Sequence, residues 1–467
     1  MRAATPDAYR LMHDGCIALS RVEAAGIRID VEYLRRAIGQ TRQRIAEIEE
    51  TLKADEIYDL WRREYGQRTN LGSRTQLAHV LYNRLGYKVG AATASGRAQA
   101  DQRALESINL DFVKLYLECE KLKKAEGTYL THIEREVEGE FLHPVFNLHT
   151  TLTYRSSSDS PNFQNIPVRD PVQGALIRRA FVPRPGRVLV EIDYAAIEVR
   201  VAACYHKDTT MLRYIAEGYD MHRDMAAECY MLDVARYTGE RAAKALKAAR
   251  QQAKALFVFA QFYGDYYVSC AKSLWEAIER HKLRGFDGRP LYTHLREQGI
   301  AKLGACDPSK PPAPGTFEHH IKQVEDRFWN VRFPQYAKWK RDWYGAYCRR
   351  GWFDTLTGFH IAGVMSRNDV INYPVQGSAF HCLLWSLIKL QQWLRKSKMK
   401  TIIVGQIHDS ILADVVPWEL DDFLAKARDT MTLDLRAAWP WIITPLEIEA
   451  EGSDVNWHEK KNLKIAS

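Results

Sequence analysis

The stretch R-V-L-V-E-I-D-Y-A-A-I-E-V-R, Arg187–Arg200, decides how this chain is read. An apolar, β-branched run (Val188, Leu189, Val190, Ile192) stops at Asp193, and the residues from Ala195 to Val199 tolerate a helix. The pattern predicts a strand handing over to a helix at Asp193, where a carboxylate can also cap the helix. A second stretch, I-I-V-G-Q-I-H-D-S-I-L-A-D, Ile402–Asp414, has apolar runs on both sides of His408-Asp409-Ser410. It predicts a hairpin with Asp409 at or near its turn. Two aspartates at strand ends can share a pair of divalent ions about 3.5–4 Å apart, an arrangement that clamps the attacking and leaving oxygens of a phosphoryl transfer. Taken singly, each reads first as a cap or turn residue, so the rest of the chain must decide.

With 467 residues the chain exceeds a single core and is expected to divide into subdomains. Its 46% hydrophobic and 27% charged residues are those of an ordinary soluble globular protein. No apolar run has membrane-spanning length and the first twenty residues do not resemble a signal peptide. The expected compartment is therefore the cytoplasm. Eight cysteines are scattered without metal or redox spacing, which predicts reduced thiols. The net charge of +8 permits a polyanionic partner without requiring one.

Along the chain, residues 7–53 carry helical patterns with one break at Gly26–Asp30. Asp30 and Ser73 read as helix N-caps, and residues 90–99, with Arg97, read as a flexible loop. Lys121, Lys123 and Lys124 close a helix that begins near Asp111; such a run is first a solvated face, and a phosphate grip only in a nucleic-acid-binding context. The segment from Thr153 to Pro167 is a polar loop. Arg250 and Lys254, four residues apart, share a helix face that runs into Phe257, Phe259, Phe262 and Tyr263 before Gly264. Cations followed by aromatic rings suit a nucleoside triphosphate; packing of an amphipathic helix is the simpler reading of the same pattern. Residues 280–316, rich in Gly and Pro, predict an irregular insertion, and a further helix is expected over Asn372–Arg395, after Pro374.

Together these blocks resemble the polymerase module of family A DNA polymerases, the bacterial DNA polymerase I and phage replicative group. Asp193–Arg200 is similar to the family's Asp-Tyr-Ser-Gln-Ile-Glu-Leu-Arg, with Ala195 and Ala196 in place of Ser and Gln. Arg250–Gly264 resembles Arg-x-x-x-Lys…Phe-x-x-x-Tyr-Gly, and His408-Asp409-Ser410 resembles His-Asp-Glu with Ser in the last place. Arg155–Pro167, Asn372–Gly377, Asp220-Met221-His222 and Asn456-Trp457 also fit family blocks, in the family's order. The resemblance implies an α+β right-hand fold, with an antiparallel palm sheet and largely helical thumb and fingers. Residues 1–21 would be an N-terminal remnant or linker, 22–137 the thumb, 138–203 and 367–467 the palm, and 204–366 the fingers.

The implied activity is template-directed addition of dNMP to a primer 3′ end with release of pyrophosphate. Asp193 and Asp409, with Tyr194 alongside, would hold two Mg²⁺, and Mn²⁺ could substitute. Arg250, Lys254 and His222 would meet the triphosphate, Phe259, Tyr263 and Glu198 the sugar and base. Arg155, Asn372, Gln376 and His408, with Lys121, Lys123 and Lys124, would contact primer-template DNA. A single-subunit RNA polymerase, a non-catalytic DNA-binding module and a metal nuclease are the rival readings.

Two departures carry further expectations. Lys254 to Phe259 is one residue longer than the family spacing, which predicts a π-bulge that returns Phe259 and Tyr263 to the family's places. Only 21 residues precede Val22 and none forms an Asp-x-Glu metal motif. The chain is therefore expected not to proofread unaided: either it is a fragment, or it comes from a replicon, such as that of a phage, whose editing is done by a separate exonuclease or replisome subunit acting in trans, in a bacterial or phage-infected host cytoplasm.

Overall fold

A computed structural model describes residues 2–87, 101–106, 108–167 and 170–465; the loop expected over residues 90–99 lies outside them. The central sheet has five antiparallel strands: β1 (Val188–Tyr194), β2 (Ile402–Ile407), β3 (Ser410–Val415), β4 (Ile448–Ser453) and β5 (Lys461–Asn462). Their spatial order is β5-β4-β1-β3-β2, so the two stretches singled out in the sequence lie side by side at its centre. The register sets Asp193 between Ser410 of β3 and Glu449 of β4. Side chains alternate across a strand, so Glu191 and Asp193 share one face, while Val190, Ile192 and Tyr194 enter the core on the other.

Helix α1 (Pro6–Ala25), N-capped by Thr5, packs on the long helix that begins at Arg367. This corrects the expectation of a remnant or linker over 1–21. Arg2–Ala3 pairs with Phe359–His360, and Leu11, Ala18, Leu19 and Val22 enter the central sheet's core. A side chain at Gly15 would meet Leu384 at 2.9 Å, so the two helices touch backbone to side chain there. Helix α2 (Val31–Lys53), capped by Asp30 as expected, links two cores: Leu34, Ala37 and Ile38 join the sheet, whereas Ile48 and Leu52 join a separate cluster reaching to Cys119. A third cluster gathers residues from Ala203 to Tyr336, and takes in Leu283, Leu291, Leu295 and Ile300 of the expected insertion. Residues 280–316 thus contribute to a core rather than forming a detached excursion, and they contain the helix Leu291–Glu297. The boundary placed at 366 is also late. Tyr347, Phe353, Phe359 and Ile361 already belong to the sheet's core.

Helix α3 (Arg367–Lys396) starts before Pro374 rather than after it, under a capping box made by Ser366 and Asp369. Pro374 has no N–H for the carbonyl four residues back. That carbonyl, of Val370, instead accepts a hydrogen bond from Trp343 Nε1 at 3.0 Å, so the helix continues through the proline. Gly377 lies against the Thr153 carbonyl, where a Cβ would come within 2.3 Å, and this approach brings the Arg155 loop to the helix. No helix among the described residues is long and apolar enough to cross a membrane, and all eight cysteines are free thiols.

Candidate active site

Asp193 is the last residue but one of β1, and Asp409 occupies the two-residue turn between β2 and β3, where His408 takes a left-handed φ of 51°. The Tyr194 amide donates to the Asp409 carbonyl at 3.4 Å, tying the strand end to the turn. Asp193 does not cap the following helix. It stays in the sheet, and the helix Ile197–His206 begins after Ala196, which has a left-handed φ of 53°.

Burial, then the charge of Asp409, then those of Glu191 and Glu449 push the Asp193 carboxyl far above the usual carboxylate range, against the pull of the Tyr194 amide. Burial also raises Asp409, with Glu198 adding to it and its own amide, Arg155 and His408 opposing. Asp193 Oδ1 is buried without a hydrogen-bond partner. A carboxylate pair raised by like charge, with an orphaned oxygen, is the environment that a divalent cation relieves. Among the described residues no three His, Cys, Asp or Glu side chains form a metal cluster. Two carboxylates suffice for Mg²⁺, which keeps waters and takes substrate phosphate oxygens for its remaining positions. Tyr194 does not fit this set through its side chain. Its hydroxyl is buried on the opposite face between Ser386 Oγ and the Met431 carbonyl, both at 2.9 Å, leaving only its main chain near the carboxylates.

The turn rests on a buried network that the sequence did not reveal. Gln406 Nε2 donates to the His408 carbonyl at 2.8 Å. Gln406 Oε1 accepts from Ser156 Oγ at 2.6 Å and from Gln164 Nε2 at 3.0 Å. The polar loop expected over 153–167 thus props the hairpin from beneath. The available signal was a glutamine inside an apolar strand, fully buried here.

Beside the carboxylates opens a cavity of about 230 Å³, lined by Glu198, Phe259, Tyr263, Asn372, Gln376 and Asp409 among others. Glu198 is held from both sides: Arg155 Nη2 and Tyr263 Oη each donate to it at 2.5 Å. Burial and the Glu198 charge push the Tyr263 hydroxyl up, which keeps it a donor. Asn372 Nδ2 reaches the Tyr263 carbonyl at 3.4 Å. Arg155, expected on primer-template DNA, is thus paired with Glu198 here.

The helix carrying the cations is Glu240–Ala253, and Lys254–Val258 continues it as a π turn. The extra residue rotates the rest of the helix about its axis, so Val258 is fully buried while Phe259 faces the cavity, as the count back from Gly264 predicts. Lys254 Nζ lies 5.3 Å from the centre of the Phe259 ring, and His222 meets the same ring edge-on at 5.7 Å. Arg250 Nε reaches both oxygens of Asp220, at 3.0 and 2.8 Å, and Asp220 caps the helix that begins at Met221. Burial, then Lys254 and Arg250, push His222 down to about 4, with Asp220 opposing; the ring is neutral at physiological pH and its Nδ1 is buried without a partner.

The three lysines do not join this site. Lys121 pairs with Asp170 at 3.1 Å, Lys123 pairs with Glu49 at 2.5 Å, and Lys124 is exposed. They end the helix Asp111–Lys124, whose apolar residues belong to the cluster that includes Ile48. His408 is exposed at the turn.

The chain is similar to known proteins over most of its length. The model of DNA polymerase family A matches residues 31–284 and 346–459. The thermostable DNA polymerase I of Thermus thermophilus is 27% identical over 459 residues, covering 95% of this chain and 47% of its own length. The DNA polymerase I of Rhizobium leguminosarum is 27% identical over 460 residues, 94% of this chain and 39% of its own. The chain therefore spans less than half the length of these relatives. Among solved structures, the POL domain of Pol1 from M. smegmatis, in complex with DNA primer-template and dNTP, superposes with a TM-score of 0.72 at 23% identity, covering 95% of this chain and 69% of that one. The architecture is thus α+β and shared with a polymerase domain. By the extent of the family match, this chain belongs to DNA polymerase family A.

Proposed function

We propose that the chain is a template-directed DNA polymerase that adds dNMP to a primer 3′ end and releases pyrophosphate. The observation that carries this is a cavity lined by Asp409, whose charge acts on the buried Asp193 carboxyl, by Glu198, and by Phe259 and Tyr263, which follow the Arg250–Lys254 segment along its helix. The sheet core would be the palm, the Ala203–Tyr336 core the fingers, and the Ile48–Cys119 core the thumb.

Asp193 and Asp409 would hold two Mg²⁺, or Mn²⁺ in their place, which when bound supply charge to the 3′ oxygen and to the triphosphate. Arg250 and Lys254 would stabilise the negative charge that grows on the leaving pyrophosphate. Arg250 would exchange Asp220 for phosphate, and neutral His222 would donate a hydrogen bond. Phe259 offers its ring to the sugar. Glu198, fixed by Arg155 and Tyr263, closes the space that a 2′-hydroxyl would need. Asn372, Gln376 and Arg155 sit where they could probe the minor-groove acceptors that all matched base pairs share. The lysines at 121–124 would release their carboxylates to grip the DNA backbone. His408 would meet the primer end.

We propose further that these 467 residues by themselves extend primers without editing. The deciding experiment is a primer-extension gel with dNTPs, rNTPs or no nucleotide, wild type beside Asp193→Ala. Extension only with dNTPs, abolished in the variant, is the expected result. Preference for rNTPs, degradation without nucleotides, or full activity of the variant would overturn the assignment. Removal of a mismatched primer terminus by the wild type would overturn the absence of editing.

A further inference from the structure

Ser410 stands where the family pattern has an acid, yet a carboxylate still reaches this spot from the neighbouring strand. Glu191 is two residues before Asp193 on β1, hence on the same face, and Ser410 lies opposite Asp193 on β3. Ser410 Oγ donates to Glu191 Oε1 at 3.0 Å. The other oxygen accepts from Trp457 Nε1 at 2.8 Å and from Lys460 Nζ at 2.5 Å. Trp457 is itself immobile: its indole is fully buried, packed between Phe163 and Phe181, with the Arg178 guanidinium 3.9 Å above it. Lys460 also pairs with Glu451 at 2.7 Å, the residue opposite Glu191 on β4.

Stability alone does not explain this carboxylate. A mostly buried ion pair gains little over apolar packing, and this one adds a like charge beside Asp193. We infer that Glu191 is a positioning residue that has taken over the work of the acid absent from position 410. It supplies a fixed negative charge behind the cation site and holds Ser410, and through it the Asp409 turn, in place. The inference rests on the two-carboxylate reading of the active site proposed above.

The test compares wild type with Glu191→Gln, Glu191→Ser and the exchange Glu191→Ser/Ser410→Glu. Three quantities are read: the half-saturating Mg²⁺ in primer extension, the calorimetric affinity of the nucleotide-free protein for Mg²⁺, and the melting midpoint. Glu191→Gln, which keeps the shape and loses the charge, is expected to weaken both Mg²⁺ measures by about tenfold, the usual size of effects from groups that orient metal ligands. The exchange is expected to return both to within about threefold of wild type. A Glu191→Gln protein with wild-type Mg²⁺ dependence, or an exchange no better than Glu191→Ser, refutes the inference. A lowered melting midpoint with unchanged Mg²⁺ affinity would show that Glu191 merely tethers the C-terminal segment. Activity in Asp193→Ala, or extension without divalent ions, would instead bring down the underlying reading of the site.

Discussion

Replacing Asp193 by Asn removes one of two neighbouring carboxyl groups at almost constant shape, so it separates what the site costs in stability from what it supplies in chemistry. Folding moves the Asp193 carboxyl from 3.8 to about 8. Between those values the folded chain binds more protons than the unfolded one, so this group's contribution to stability falls as pH rises through the window. At about 1.4 kcal/mol per pH unit, the whole displacement spans about 6 kcal/mol. The amide still has to be buried without a full set of partners, an offset of about 1–3 kcal/mol. At pH 7.5, where the wild-type group has not traversed the full range, a net gain of about 2–4 kcal/mol remains. Unfolding entropy of about 2 cal/mol/K per residue turns that into a melting-point rise of about 2–4 °C for a cooperative unit of this size. The assay is calorimetric melting of wild type and Asp193→Asn in metal-free buffer at pH 7.5, 6 and 4.5. The variant is expected to melt higher at pH 7.5, to lose that advantage towards pH 4.5, and to gain less from added Mg²⁺. A variant that melts at or below wild type at pH 7.5, or whose advantage is the same at pH 4.5, refutes the reasoning.

Other perturbations address single contacts. Glu198→Ala removes the carboxylate held by Arg155 and Tyr263 and should clearly raise rNTP use relative to dNTP; an unchanged ratio in competitive extension would rule out the gate. Phe259→Tyr places a hydroxyl in the cavity and should improve dideoxynucleotide incorporation, read from chain-termination ladders; a ladder matching wild type would mean that Phe259 does not face the sugar. Gln406→Leu strips the His408 carbonyl, Ser156 and Gln164 of their shared partner and should cost about 2–3 kcal/mol of stability together with a lower kcat at unchanged dNTP KM, and intact denaturant stability would argue against the network.

Local pattern carried the sequence reading a long way where the signal was short-ranged. Two apolar runs interrupted by aspartate gave both strands of the carboxylate pair, because period-2 burial needs no knowledge of partners. The π turn was legible from arithmetic, since Lys254 and Gly264 fix the two ends and one residue has to bulge between them. For Tyr194, alternation alone places the side chain on the opposite face from Asp193, so that only its main chain can serve the carboxylates. The docking of the N-terminal helix into the sheet's core was hidden, because the partner of Gly15, Leu384, is remote in sequence. Pro374 misled for a similar reason. The indole that satisfies the Val370 carbonyl comes from another helix. Glu191 and Gln406 escaped because their partners are set by strand register and tertiary packing, which a linear pattern does not contain.

The same register bears on how the protein is born. Among the described residues strand β1 has no neighbours other than β3 and β4, both supplied by the chain from Ser410 onward. During synthesis the cluster from Ala203 to Tyr336 can close around its own residues, while β1 must wait, its edges bare, until the chain has been made through Ser453. The Asp193–Asp409 site is then completed later than the Ala203–Tyr336 cluster. Protease cleavage of ribosome-stalled chains should find the Ala203–Tyr336 segment protected before Val188–Tyr194 is; simultaneous protection of the two would contradict this order.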